Sequence, residues 1–175
     1  SFHYLSLYFK LLSSLNIKIF TKNHFLPFYS QKKYFENLPA SYYLFHIDKR
    51  WEFFESKIEE NIVKKIMELS IKNNVVLTSN INGNTFFNSL RSNLSNNNKV
   101  YIYNNTSIDE LLYLINQSHS VVSSHTGVVV HAAAALNKNV VDIVKKDIFK
   151  ELDRWIPFNL SYKRINIDNF SEYNF

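Results

Sequence analysis

The chain has 175 residues, 46% of them hydrophobic, enough for one domain with a sizeable core or for one domain plus an extra segment. No cysteine occurs, which excludes a disulfide framework and thiolate metal sites and fits a reducing compartment. The net charge of +5 suits an anionic ligand, yet Lys and Arg are scattered rather than clustered and give nucleic acid little support as a partner.

Tyr4 to Leu15 places Leu5, Tyr8, Phe9, Leu12 and Leu15 at helical spacing, and Asn16 supplies a stop. Ser1-Phe2-His3-Tyr4 has neither a starting Met nor the basic and apolar regions of a signal peptide, so the chain reads as a fragment of something longer. From Phe20 to Ala40 there are Pro27, Pro39 and no clear period, the pattern of a surface connector. The expected organisation is a helix and connector over 1–40 and an ordered domain over 41–175.

Within that domain strands and helices alternate. Strands are predicted at Tyr42 to His46, Val75 to Thr78, Val100 to Tyr103, Ser120 to Ser123, Val140 to Val144 and Tyr162 to Ile165. A long helix over Glu52 to Lys72 would carry Phe53, Ile58, Ile62, Ile66, Met67 and Ile71 on one face. Further helices are predicted over Asn84 to Leu94, from Ser107 with a capping box to Glu110, over Thr126 to Leu136, and over Asp147 to Arg154. This alternation implies right-handed crossovers and a Rossmann-like parallel sheet with helices on both faces. No apolar run is long enough to be a transmembrane segment.

Gly127 is one of only two glycines, and it stands in Ser123-Ser124-His125-Thr126-Gly127, between an apolar strand and an alanine-rich helix. A strand that ends in small polar residues, turns on a glycine and enters a helix offers free backbone N–H groups to an anion. Ser124, His125, Thr126 and Gly127 are therefore candidate phosphate contacts, an ordinary N-capped helix being the alternative. His131, one turn further on, is either a ligand contact or a core histidine. Lys49 would neutralise a diphosphate as a flexible charge, Arg50 would point to solvent, and Trp51 would pack on the following helix. His46 reads as structural and Trp155 as a buried anchor of the last helix. Asp48, Asp109, Glu110 and Asp142 are scattered without metal-ligand spacing, and no P-loop, nucleophile elbow or G-x-G-x-x-G occurs.

The stretch Ser107-Ile108-Asp109-Glu110-Leu111, then Ser118 to Gly127, then His131-Ala132-Ala133-Ala134-Ala135-Leu136-Asn137-Lys138-Asn139-Val140-Val141 resembles the C-terminal half of family 9 glycosyltransferases, the ADP-heptose:lipopolysaccharide heptosyltransferase group. The family's usual wording there is D-T-G-x-x-H-x-A-A-A-L-G-K-P. His46 with Lys49-Arg50-Trp51 is similar to its strand end followed by K-R-W, and Tyr4 to Leu15 to the helix linking its two GT-B halves. The resemblance implies a GT-B donor domain whose Lys49, Ser124, His125, Thr126, Gly127 and His131 bind a nucleotide-diphosphate sugar, with ADP-heptose as the candidate. It also implies inverting transfer without a metal or other cofactor to a glycan or lipid-linked glycan. The acceptor site and a carboxylate base would lie in an N-terminal domain absent from this chain. The intact enzyme would be cytoplasmic or peripheral at the inner membrane. A non-catalytic nucleotide-sugar-binding module is the alternative.

The chain departs from that pattern at several places. His125 stands where the family has Asp, an extra residue separates Gly127 from His131, and Asn137 and Asn139 replace Gly and Pro. The segment between His46 and Lys49 is also shorter than usual. In place of a carboxylate that accepts hydrogen bonds from sugar hydroxyls, His125 is expected to donate to a phosphate oxygen.

Overall fold

The computed structural model describes residue 14 and residues 34–54, 56–157 and 161–175. The expected helix over Tyr4 to Leu15 and most of the connector therefore lie outside the described residues, apart from Ser14. Six strands form one sheet: β1 (Tyr42–His46), β2 (Asn74–Ser79), β3 (Val100–Asn104), β4 (Ser120–Ser123), β5 (Asn139–Val144) and β6 (Tyr162–Asn166). All five pairings are parallel and the spatial order is β3-β2-β1-β4-β5-β6. That is the doubly wound order in which the chain reverses direction across the sheet between β1 and β4.

Both faces are covered, which is why the central strands read as near-continuous apolar runs rather than as alternating ones. On one face Phe45, Val75, Leu77, Val122, Val141 and Ile143 pack with residues of α1 (Ser56–Ser70) and α2 (Thr85–Leu94), and with Ile167 and Phe170 near the C-terminus. The other face buries Tyr42, Leu44, Val76, Val121 and Val140 against α3 (Ile108–Gln117) and α4 (Gly127–Ala135). The Tyr42 hydroxyl ties β1 to that layer by donating to the Leu114 carbonyl at 2.7 Å.

Local chemistry sets the helix ends. Asn84 caps α2 by accepting from the Phe87 N–H, and Ser107 with Glu110 forms both halves of a capping box on α3. Helix α4 closes through Asn137 at φ 53°, with Asn137 N–H bonded to the Ala134 carbonyl and Lys138 N–H to that of Ala133. This is a Schellman ending. Asn is the side chain that tolerates the left-handed position best after Gly.

Three expectations change. The helix foreseen from Glu52 divides into a 3-10 turn over Lys49–Phe53 and α1, because Phe54 is extended and breaks the period. Phe53, Met67 and Ile71 lie exposed, while Ile62 and Ile66 are buried. The segment after β5 forms 3-10 turns around α5 (Phe149–Leu152), and Trp155 is 43% exposed with the Arg154 guanidinium over its ring, not a buried anchor. No described helix is long and apolar enough to cross a membrane.

Candidate functional site at the reversal between β1 and β4

Strand register builds the site from below. Tyr162, Val140, Val121, Leu44, Val76 and Tyr101 are aligned across the six strands on the face that carries α3 and α4. Two residues nearer the carboxyl edge, the aligned set is Arg164, Asp142, Ser123, His46, Thr78 and Tyr103. A polar row thus crosses the whole sheet directly above an apolar one. Its four central members, Asp142, Ser123, His46 and Thr78, are fully buried.

Buried polar groups need partners, and most of this row has them. Thr78 Oγ1 lies 3.0 Å from Thr106 Oγ1. The Asp142 carboxylate accepts the His125 backbone N–H on Oδ1 at 2.6 Å, and its Oδ2 lies 2.6 Å from His125 Nδ1. The Tyr162 hydroxyl also donates to Oδ2. Burial and the adjoining Asp142 push the Tyr162 phenol well above its ordinary range. His46 is the exception: among the described residues neither of its buried ring nitrogens has a hydrogen-bond partner, and burial pushes the imidazole down to about 4.

Above the row, the strand-end turns of β1 and β4 are joined. Thr126 Oγ1 donates to Asp48 Oδ2 at 2.6 Å, and Arg50 N–H donates to Asp48 Oδ1 at 3.0 Å. Burial pushes the Asp48 carboxyl up, while these hydrogen bonds and the Arg50 charge act in the opposite direction. Arg50 does not simply face solvent: its Nη1 donates to the His125 carbonyl and stands 3.7 Å from Asp48. Trp51 is fully buried, packs on Phe54 and on Phe86 of α2, and donates its indole N–H to the His46 carbonyl at 3.0 Å.

The turn itself is made differently from expectation. His125, at φ 49°, takes the left-handed conformation, and Gly127 is the first helical residue with an ordinary φ. Gly127 matters for space instead, since a Cβ there would meet no atom within 4 Å. Thr126 precedes α4 without capping it, and the N–H groups of Gly127, Val128 and Val129 have no acceptor among the described residues. The Thr126 hydroxyl, foreseen as a phosphate contact, is engaged by Asp48, and the Thr126 N–H donates to Ser123 Oγ at 3.3 Å.

The structure therefore brings Ser124, His125, Thr126 and Gly127 together with the turn that carries Lys49, across the reversal between β1 and β4. Lys49 is exposed on its 3-10 turn, Ser124 is buried, and His131 is partly buried one turn into α4. Sequence reasoning missed Asp142 as the anchor of His125 and Asp48 as the link to Thr126. The available signal for Asp142 was a lone carboxylate inside the apolar run Val140-Val141-Asp142-Ile143-Val144. Among the described residues no group of three His, Asp or Glu is placed to hold a metal ion.

This sheet order, with polar turns at the carboxyl edge, is a Rossmann-like α/β fold of the kind found in GT-B glycosyltransferases. Among solved structures, Escherichia coli heptosyltransferase WaaC with ADP-2-deoxy-2-fluoro heptose is similar with a TM-score of 0.54 and 15% identity, over 74% of this chain and 38% of that one. E. coli ADP-heptose lps heptosyltransferase II gives 0.56 and 18%, over 72% and 38%. UDP-GlcNAc 2-epimerase of Methanocaldococcus jannaschii, in complex with UDP-GlcNAc and UDP, gives 0.56 and 19%, over 76% and 37%. The chain thus covers less than two fifths of the length of each. No protein-family model matches it, and no curated protein does. The resemblance to heptosyltransferases holds at the level of the fold.

Proposed function

We propose that this chain is the donor-binding half of an inverting glycosyltransferase of the heptosyltransferase kind, taking a nucleotide-diphosphate sugar such as ADP-heptose. One observation carries the reading. At the reversal of the sheet, α4 begins with three backbone N–H groups that have no acceptor among the described residues and no side chain on Gly127, a geometry suited to a diphosphate. The helix N-terminus and Lys49 offset charge on the leaving diphosphate without a metal. A second domain supplies the acceptor site and the base, and the acceptor is a surface glycan or lipid-linked glycan. The work would take place in the cytoplasm or against the inner membrane.

Binding by the isolated chain tests this first. A panel of ADP-, UDP-, GDP- and CDP-sugars is expected to raise the melting temperature for one nucleotide class, since ligand at about 100 times its dissociation constant adds about 2.7 kcal/mol. Gly127→Val is expected to weaken that binding at least about tenfold while leaving the melting temperature nearly unchanged, because its Cβ has room but obstructs the close approach of a phosphate. Lys49→Ala removes an exposed charge, so it should lower affinity a few-fold at low salt and less at high salt. Calorimetry in which both variants bind all four classes as the parent does would remove the assignment. A module that binds the sugar nucleotide, but whose full-length protein transfers no sugar, would favour the non-catalytic alternative.

A further inference from the structure

We propose that Asp142 is a positioning residue that holds His125 in its Nδ1–H form, so that Nε2 is offered at the sheet reversal as an acceptor for a ligand hydroxyl. The inference rests on the nucleotide-sugar reading for the identity of the ligand, though not for the state of the ring.

Three donors converge on one carboxylate that is fully buried. The His125 backbone N–H fixes Oδ1, while Oδ2 is shared by the Tyr162 hydroxyl and by His125 Nδ1. An ionised carboxylate only accepts, so the proton of this contact resides on Nδ1. The backbone contact matters as much as the ring contact. His125 sits at φ 49°, a conformation that costs a residue with a Cβ, and the bond from its N–H to Oδ1 holds it there. From the other side, Arg50 grips the His125 carbonyl. Backbone and ring are therefore both clamped, and rotation of the imidazole would cost the bond to Asp142.

What remains is Nε2. It has no partner among the described residues and, unlike the two His46 nitrogens, is not an orphaned buried atom, while 9% of the side chain stays exposed. A neutral ring with its proton on Nδ1 presents a lone pair on Nε2. Nε2, on the residue two before the start of α4, is thus an acceptor where the N–H groups of Gly127, Val128 and Val129 are donors. A phosphate oxygen satisfies the donors and a hydroxyl satisfies the acceptor, the pairing a sugar diphosphate supplies within one molecule. His125 accordingly takes over hydroxyl recognition, in contrast to the phosphate donor expected from its residue type alone.

Nitrogen-15 spectra of the His125 ring in the unliganded protein test the clamp independently of any ligand. The expected result is an Nδ1–H ring in the parent protein and in Tyr162→Phe. In Asp142→Asn the side-chain amide donates to Nδ1 and drives the proton to Nε2. An Nε2–H ring in the parent protein overturns the proposal, whether or not Asp142→Asn folds. Calorimetry then tests the hydroxyl. Asp142→Asn should lose about tenfold in affinity for the sugar nucleotide and leave that for the matching nucleoside diphosphate unchanged. Equal loss for both ligands overturns the hydroxyl contact and marks Asp142 as structural. If the parent protein binds no nucleotide sugar at all, the hydroxyl contact falls together with the proposed function, and the ring spectra still decide whether Asp142 sets the tautomer.

Discussion

Trp51→Ala is expected to destabilise the domain by about 3–5 kcal/mol, the usual range for emptying a buried Trp site. The indole is fully buried between the turn after β1 and α2, in contact with Phe54 and Phe86. Truncation also leaves the His46 carbonyl without the donor that now reaches it at 3.0 Å. The damage should extend to the candidate site, because Trp51 pins the 3-10 turn that carries Lys49 and Arg50. Urea unfolding of Trp51→Ala against Trp51→Phe separates the two contributions, since Phe retains most of the packing and lacks the N–H. A loss below about 1 kcal/mol for Trp51→Ala would show that the turn is not held by this residue.

Acid should unfold the domain through His46. Its imidazole ordinarily titrates at 6.5 and is held down to about 4 by burial, so the unfolded chain binds the extra proton between these values. Stability contributed by the neutral buried ring is fully present above about pH 6.5 and falls as the pH drops toward about 4. Across that window the loss is about 3 kcal/mol, at about 1.36 kcal/mol for each pH unit. His46→Leu should abolish the loss. It should cost little near neutral pH, because the nitrogens it removes have no partner among the described residues. Denaturation curves at about pH 7 and about pH 4 decide the matter, and an undiminished acid loss in His46→Leu would assign the effect to another group.

Much of the fold was legible because each layer leaves its own local mark. Ser120 to Ser123 is short, apolar within and bounded by polar residues, and it is a strand with those limits. Ser107 and Glu110 announced a capping box, and both of its bonds are present. The long helix misled because Phe53 was placed on the face of Ile62 and Ile66, although nine residues at about 100° each set it opposite Ile62, and the extended Phe54 interrupts the helix in any case. Trp155 misled for a different reason: its size suggests burial, but a Trp after charged residues can also lie flat beside an Arg on the surface.

The candidate site was legible only along the chain and not across it. The run from Ser123 to Gly127 declares a strand end, a turn and a helix start, so its location was readable. Its wiring was not. Asp142 lies seventeen residues beyond His125 and Asp48 seventy-eight before Thr126, and no periodicity records which side chains the strand register will align. Even the turn residue was assigned to the wrong position. Gly127 is the obvious candidate for a left-handed conformation, yet His125 adopts it because a buried carboxylate rewards that arrangement with two hydrogen bonds.

The polar row beneath the site also acts on how the sheet is assembled. Slipping β5 by two residues against β4 would still set Ile143 against Val122, but it would carry Val140 and Val141 to the level of His119 and Ser120. The same slip would bring Asp142 level with Val121 and take it away from the donors on His125, leaving a buried charge without its partners. Leaving a buried polar group without its hydrogen bonds costs about 1–3 kcal/mol and more for a charge, which adds to the apolar pairing lost in the slip. Asp142 therefore reinforces strand alignment: in the observed pairing of β4 with β5 it reaches the donors of the turn above them.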